Sequence, residues 1–161
     1  MNLTLSKRGD YAVRAAISLG RAYQDGGFRK IREVAAEMKL PPRYTPQILR
    51  LLSKAGLAEA RAGRDGGYRL SQHPRDVSLL AVVEAAEGPL RTDECTLRGG
   101  PCQWEDMCAV HPAWETATTA MREALSRINL RDILAVDAGL DAGTLPASTT
   151  AHRKAARLKR S

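Results

Sequence analysis

Leu40-Pro41-Pro42-Arg43-Tyr44-Thr45-Pro46-Gln47-Ile48-Leu49-Arg50-Leu51-Leu52-Ser53-Lys54-Ala55-Gly56 decides the fold. The Pro41-Pro42 pair breaks a helix predicted over Ile31 to Lys39, whose inward residues are Val34, Ala35 and Met38. A further helix follows and ends at Gly56, a natural C-terminal cap. Its apolar face is Ile48, Leu51, Leu52 and Ala55; its outer face is Arg43, Gln47, Arg50 and Lys54. A merely solvated helix would alternate Glu and Lys, and this outer row carries no acid. Helix, proline turn, then a helix with a polar and basic outer row is the helix-turn-helix arrangement. Arg and Gln are the side chains that pair bidentately with guanine and adenine edges. Pro46 is comfortable only in a first turn, so either the regular helix starts near Pro46 with Thr45 as cap, or its first turn is distorted.

Working outward, Leu57 to Arg61 and Gly67 to Ser71 predict two short strands around the tip Ala62-Gly63-Arg64-Asp65-Gly66. A glycine-rich hairpin bearing Arg61, Arg64 and Arg69 directly after a reading helix is a wing. Its glycines let backbone approach a phosphate, and an arginine at the tip fits a minor groove. Upstream, Leu5 to Tyr23 predicts a helix capped by Ser6, with Leu5, Ala12, Ala15, Ala16 and Leu19 as its apolar stripe. Phe28 to Ile31 is short enough for a small strand. Downstream, Val77 to Glu87 predicts a helix stopped by Gly88-Pro89. Pro112 suits the first turn of a long helix whose seam is Trp114, Ala117, Met121, Leu125 and Ile128. Leu130 to Val136 predicts a short last helix.

Charge divides the chain. Residues 1–75 hold 15 Lys/Arg against 6 Asp/Glu, and residues 76–150 hold 5 against 12. The last eleven residues add five bases and no acid. A basic first half implies a polyanionic partner. The expected organisation is a winged DNA-binding region over 1–75, a cofactor loop and dimerisation helix over 76–137 in the same compact domain, and a disordered basic tail over 138–161. With one Phe, two Trp and four Tyr, the core must be aliphatic, as in a mainly α protein with a small β-hairpin. No run of 18 apolar residues occurs, so no membrane partner is expected. Retained thiols without an export signal imply the cytoplasm. No C-x-x-C pair, nucleotide loop or Ser/His/Asp set supports an enzyme.

All three cysteines fall in one stretch, Cys95 to His111, spaced C-x6-C-x5-C-x2-H around Arg98-Gly99-Gly100-Pro101. Thiolates select iron–sulfur clusters, zinc or copper(I). Zinc sites usually pair their ligands more closely, as C-x2-C or H-x3-H, so the loose spacing favours a wider object. Structural zinc and inert buried thiols are the competing readings.

Leu5-Ser6-Lys7-Arg8-Gly9-Asp10-Tyr11-Ala12-Val13-Arg14, the wing Gly63-Arg64-Asp65-Gly66-Gly67-Tyr68 and the three-cysteine loop ahead of a long helix together resemble the iron–sulfur winged-helix regulators of the IscR/NsrR/RirA type. The resemblance spans about residues 3–136. It implies a homodimer crossed through the long helix and a cluster held by Cys95, Cys102 and Cys108. His111 matches one type of fourth ligand and suits a 2Fe-2S cluster, the expected form. Asp10 matches the other type, which reaches across from the partner subunit and suits a 4Fe-4S cluster. Pro46 stands where such proteins carry an acidic residue that helps choose operators. The function expected is a cluster-dependent, DNA-binding transcriptional regulator acting as a repressor, its signal being cluster status, iron, redox state or nitric oxide. The alternative is a zinc-stabilised or metal-independent winged-helix regulator. On double-stranded DNA, Ser6, Lys7 and the wing residues Arg61 and Tyr68 would hold phosphates. Arg43, Tyr44, Gln47 and Arg50 would reach bases, and Arg64 would enter the minor groove.

Overall fold

A computed structural model of the chain describes residues 5–90 and 108–142. The first helix, α1 (Lys7–Arg21), is the hub. Ser6 caps it, its hydroxyl accepting from the amides of Arg8 and Gly9. Ala12, Ala15, Ala16 and Leu19 are buried, and the three small alanines let five elements close around α1. Leu5, expected in the same stripe, precedes the helix and is 45% exposed.

The second helix, α2 (Ile31–Glu37), buries Val34 and Ala35. The third, α3 (Thr45–Lys54), settles the proline question. Tyr44 occupies the cap position with helical backbone angles, and Thr45 donates both its amide and its hydroxyl to the Pro41 carbonyl, at 3.2 and 3.0 Å. The turn thus winds straight into the helix, and Pro46 sits in the first turn, where no donor is needed. The buried face is Thr45, Ile48, Leu49 and Leu52. The expected inward Leu51 is only half-buried and Ala55 is exposed. The reason is that α3 packs against α1, α2, α4 and the hairpin, which centres its inward side on Leu49.

Strands β1 (Ala58–Arg61) and β2 (Gly67–Leu70) form the hairpin, antiparallel, with Ala58 opposite Leu70 and Arg61 opposite Gly67. The small strand expected at Phe28–Ile31 is present as a single bridge. Arg29 and Tyr68 exchange backbone hydrogen bonds of 2.8 and 2.9 Å. Gly67, at φ +149°, makes this possible, because a Cβ there would overlap the Arg29 carbonyl.

A short 3-10 turn, Pro74–Asp76, leads to α4 (Leu79–Glu87), capped by Ser78. His73 caps that turn through Nδ1 and sets its ring edge-on to Tyr23. The long helix α5 (His111–Arg127) carries Pro112 in its first turn, and α6 (Leu130–Asp141) follows at once. Backbone bonds of 2.8 Å, from Leu79 to Ile128 and from Leu130 to Val77, pin the α5–α6 junction to the start of α4. The last helix runs five residues past the expected Val136. Its Asn129–Asp132 capping box starts it, and Leu134 packs on the core beside Gly20. Asp137 then bonds Arg21 of α1 at 2.7 Å, and Arg21 also reaches Glu37 of α2 at 3.1 Å. Glu37 in turn pairs with Arg29 at 3.5 Å. The Asp137 hydrogen bond, more than that of Glu37, raises the Arg21 pKa against the opposing effect of burial. The remainder of the expected tail, residues 143–161, lies outside the described residues.

Of the seventeen residues of α5 only Thr118 is buried. Along the expected seam, Ala117, Met121 and Ile128 are exposed, while Trp114 and Leu125 are half-buried. Among the described residues no helix is long and apolar enough to cross a membrane.

Candidate nucleic-acid interface and thiol site

The outer row of α3 lies against the first turn of α1 across a groove of about 610 Å³. Its rim is cationic, with Lys7, Arg8, Arg50 and Lys54; its walls are Tyr11, Tyr44, Ile48 and Leu51, and Gln47 projects between them. Lys7, Tyr44, Gln47 and Arg50, four of the expected contacts, are therefore brought together on one surface. Arg43 is exposed in the turn before α3 and is not among the lining residues. Tyr44, which lines the groove, is 50% exposed. A groove lined by cations and no acid attracts phosphates, while Gln47 and Arg50 carry the bidentate hydrogen-bonding groups that base edges need.

Ser6 has a different arrangement from the one expected. Its hydroxyl caps α1 and also donates to Glu87 Oε1 at 2.5 Å, so it is committed within the protein.

The wing forms a second concavity of about 780 Å³, shared with the start of α2. Arg61, Arg64 and Tyr68 line it, joined by Lys30 and Arg32. Lys30 donates through Nζ to the carbonyls of Gly63 and Arg64, which ties the wing tip to α2. Arg61 lies 5.8 Å from the Phe28 ring and Arg69 4.7 Å, and Arg69 is also paired with Glu59. The lone phenylalanine is thus a platform for two wing arginines. Arg64 stays exposed at the tip.

Of the thiols, Cys108 is described: it is free and half-buried, just ahead of α5. His111 opens α5 one turn later, and its amide donates to the Cys108 carbonyl at 3.3 Å. The imidazole side chain is 17% exposed, and its Nε2 lies 4.0 Å from Glu115 one turn on. Cys95 and Cys102 lie outside the described residues. Asp10 is in the first turn of α1, half-exposed, and pairs with Arg14 at 2.9 Å. A thiol and an imidazole one turn apart at a helix start are a soft donor pair, suited to iron–sulfur or zinc.

Sequence reasoning missed Arg8, Tyr11, Lys30 and Arg32. Arg8 and Tyr11 flank Lys7 on the first turns of α1, and a helical projection from Lys7 would have found them. Nothing local in α2 signals that its start abuts the wing, because that closeness comes from the long-range Arg29–Tyr68 bridge.

A profile of the Rrf2 family, described as iron-dependent transcriptional regulators, matches residues 5–136. The chain is similar to the HTH-type transcriptional regulator NsrR of Geobacillus kaustophilus, at 30% identity over 82% of this chain and 90% of that one. Among solved structures, T. potens IscR superposes with a TM-score of 0.69 at 26% identity, covering 93% of this chain and 98% of that one. CymR, the global cysteine regulator of B. subtilis, superposes equally well, TM-score 0.69, at 24% identity over 84% of this chain and 98% of its own, which speaks to the fold alone.

Proposed function

The chain belongs to the Rrf2 family of transcriptional regulators, DNA-binding winged-helix proteins and not enzymes, and from that premise we propose that it is a homodimeric repressor whose grip on duplex DNA depends on an iron–sulfur cluster. The observation that carries this reading is the donor pair Cys108 and His111 at the start of α5, a helix almost entirely exposed, in a chain whose two other cysteines lie in the preceding stretch. The donor set of Cys95, Cys102, Cys108 and His111 fits a 2Fe-2S cluster, with Asp10 of a second copy as the alternative fourth ligand for 4Fe-4S. When bound, such a cluster supplies an iron centre that responds to oxidant, nitric oxide or iron supply.

Residues 1–75 contact the operator in the cytoplasm. Lys7 and the wing residues Arg61 and Tyr68 hold phosphates; Arg43, Tyr44, Gln47 and Arg50 reach bases; Arg64 enters the minor groove. Ser6 contributes as the cap that orients Lys7. Residues 76–137 hold the cofactor and the partner helix, where Met121 and Ile128 meet their counterparts. Two reading heads on one dimer gain half-site spacing, and the dimer axis fixes that spacing.

Anaerobically purified protein is the direct test. Iron and acid-labile sulfide should co-purify with broad visible absorption, and Cys108→Ala should lose both while keeping its helical circular dichroism. Stoichiometric zinc with no colour would replace the cluster reading with that of a zinc-stabilised regulator, and DNA binding unchanged by chelation with that of a metal-independent one.

A further inference from the structure

Glu87, the last residue of α4, reaches back to the first turn of α1. Its Oε1 accepts from the Ser6 amide at 3.1 Å, the Ser6 hydroxyl at 2.5 Å and the Gly9 amide at 3.0 Å. These amides belong to the set that a helix start leaves without partners, and the positive end of the helix adds to the attraction. Room for the carboxylate is provided by Gly9. A Cβ at that position would overlap Oε1, and Gly9 has no positive φ that would otherwise call for glycine. Glycine inside a helix costs about 1 kcal/mol relative to alanine, so here its use is explained by the neighbour it admits.

A second glutamate on the same face of α4 makes a similar tie. One turn back, Glu84 Oε1 accepts from the Leu90 amide at 3.0 Å and from Arg122 of α5 at 2.8 Å, and Arg122 also donates to the Leu90 carbonyl at 3.2 Å. Two glutamates on one helix thus bind in two directions. Glu84 ties the exit of α4 to α5, and Glu87 ties it to the turn of α1 that presents Lys7, Arg8 and Tyr11 to the groove.

We infer that Glu87 is a positioning residue for DNA binding, which fixes the first turn of α1, and with it Lys7, Arg8 and Tyr11, from the far end of α4. The inference rests on the reading of that groove as a DNA surface. It also assigns the division of labour on α1. A carboxylate already fills its N-terminal anion position, so the helix grips DNA through the Lys7 and Arg8 side chains and not through its terminal amides.

The test uses the full chain and duplexes that the wild-type protein selects from a random-sequence pool. Glu87→Ala should raise amide exchange at Gly9 at least about tenfold and weaken DNA binding by about tenfold, the scale of a lost charged hydrogen bond. Glu87→Gln keeps an acceptor oxygen and should bring both back to within about threefold of wild type. Gly9→Ala should reproduce Glu87→Ala, and the double variant should bind no more weakly than either single one, the non-additivity expected of two halves of one contact. Wild-type affinity in Glu87→Ala, strictly additive effects, or no rescue by glutamine would each overturn the inference alone. Failure to select any duplex would overturn the DNA reading itself.

Discussion

Gly67 shows how much one missing side chain decides. It opens β2 at φ +149° with the Arg29 carbonyl against it, and the Arg29–Tyr68 bridge is the backbone-to-backbone link described between the hairpin and the segment before α2. Gly67→Ala adds both backbone strain and a clash with a main-chain oxygen, which cannot swing away as a side chain would. It should cost about 2 kcal/mol of stability, read as a lower midpoint in urea unfolding. Gly63, also at positive φ, has open space around it, so replacing it should perturb the tip and leave the bridge intact. The sequence marks both positions equally as wing glycines. Their difference lies in what stands opposite, which is set by residues thirty-odd positions away.

On α3, neighbouring residues serve separate ends. Leu49 is fully buried between helices, while Gln47 projects into the groove. Leu49→Ala should cost about 3 kcal/mol through lost contacts and a residual cavity, measurable by denaturant titration. Gln47→Ala should leave the unfolding midpoint in place and weaken selected DNA by about tenfold, relaxing preference at one base position, as binding-site selection would reveal. The outer row was legible in sequence because the absence of acids over Arg43, Gln47, Arg50 and Lys54 has no other ready explanation. The phase of the inner face was less so. An amphipathic pattern locates an apolar stripe, but Leu51 and Leu49 are chemically alike, and only the neighbours on both flanks select Leu49. The wing, its place after α3 and the Ser6 cap were all readable, since each depends on local turn and capping chemistry. The Glu87 contact and the Lys30 tie to the wing tip were not, because each joins residues far apart in sequence through side chains common on any surface.

At the scale of the molecule, the exposed length of α5 is what one chain alone leaves unexplained. Met121 is 38% exposed on a helix that buries a single residue, and Ile128, just past its end, is 42% exposed. Met121→Glu with Ile128→Glu places like charges where two copies of the seam would meet. Sedimentation should then give the monomer mass, and affinity for a two-half-site duplex should fall by about a hundredfold or more as the linked second contact is lost. A single half-site should be bound as before. The charge division supports the same layout, with the basic half facing DNA and the acidic half carrying α5.

An ionic thread joins α6 to the wing across α1 and α2. Asp137 holds Arg21, Arg21 holds Glu37, and Glu37 holds Arg29, whose backbone bridges to Tyr68 of the wing. A protease that cut ahead of Asp137 would remove, among the described residues, a single large apolar side chain, Leu140. Yet it would unfasten the first knot of a line whose other end is the base of the wing, so that a cut in α6 would be felt at the hairpin.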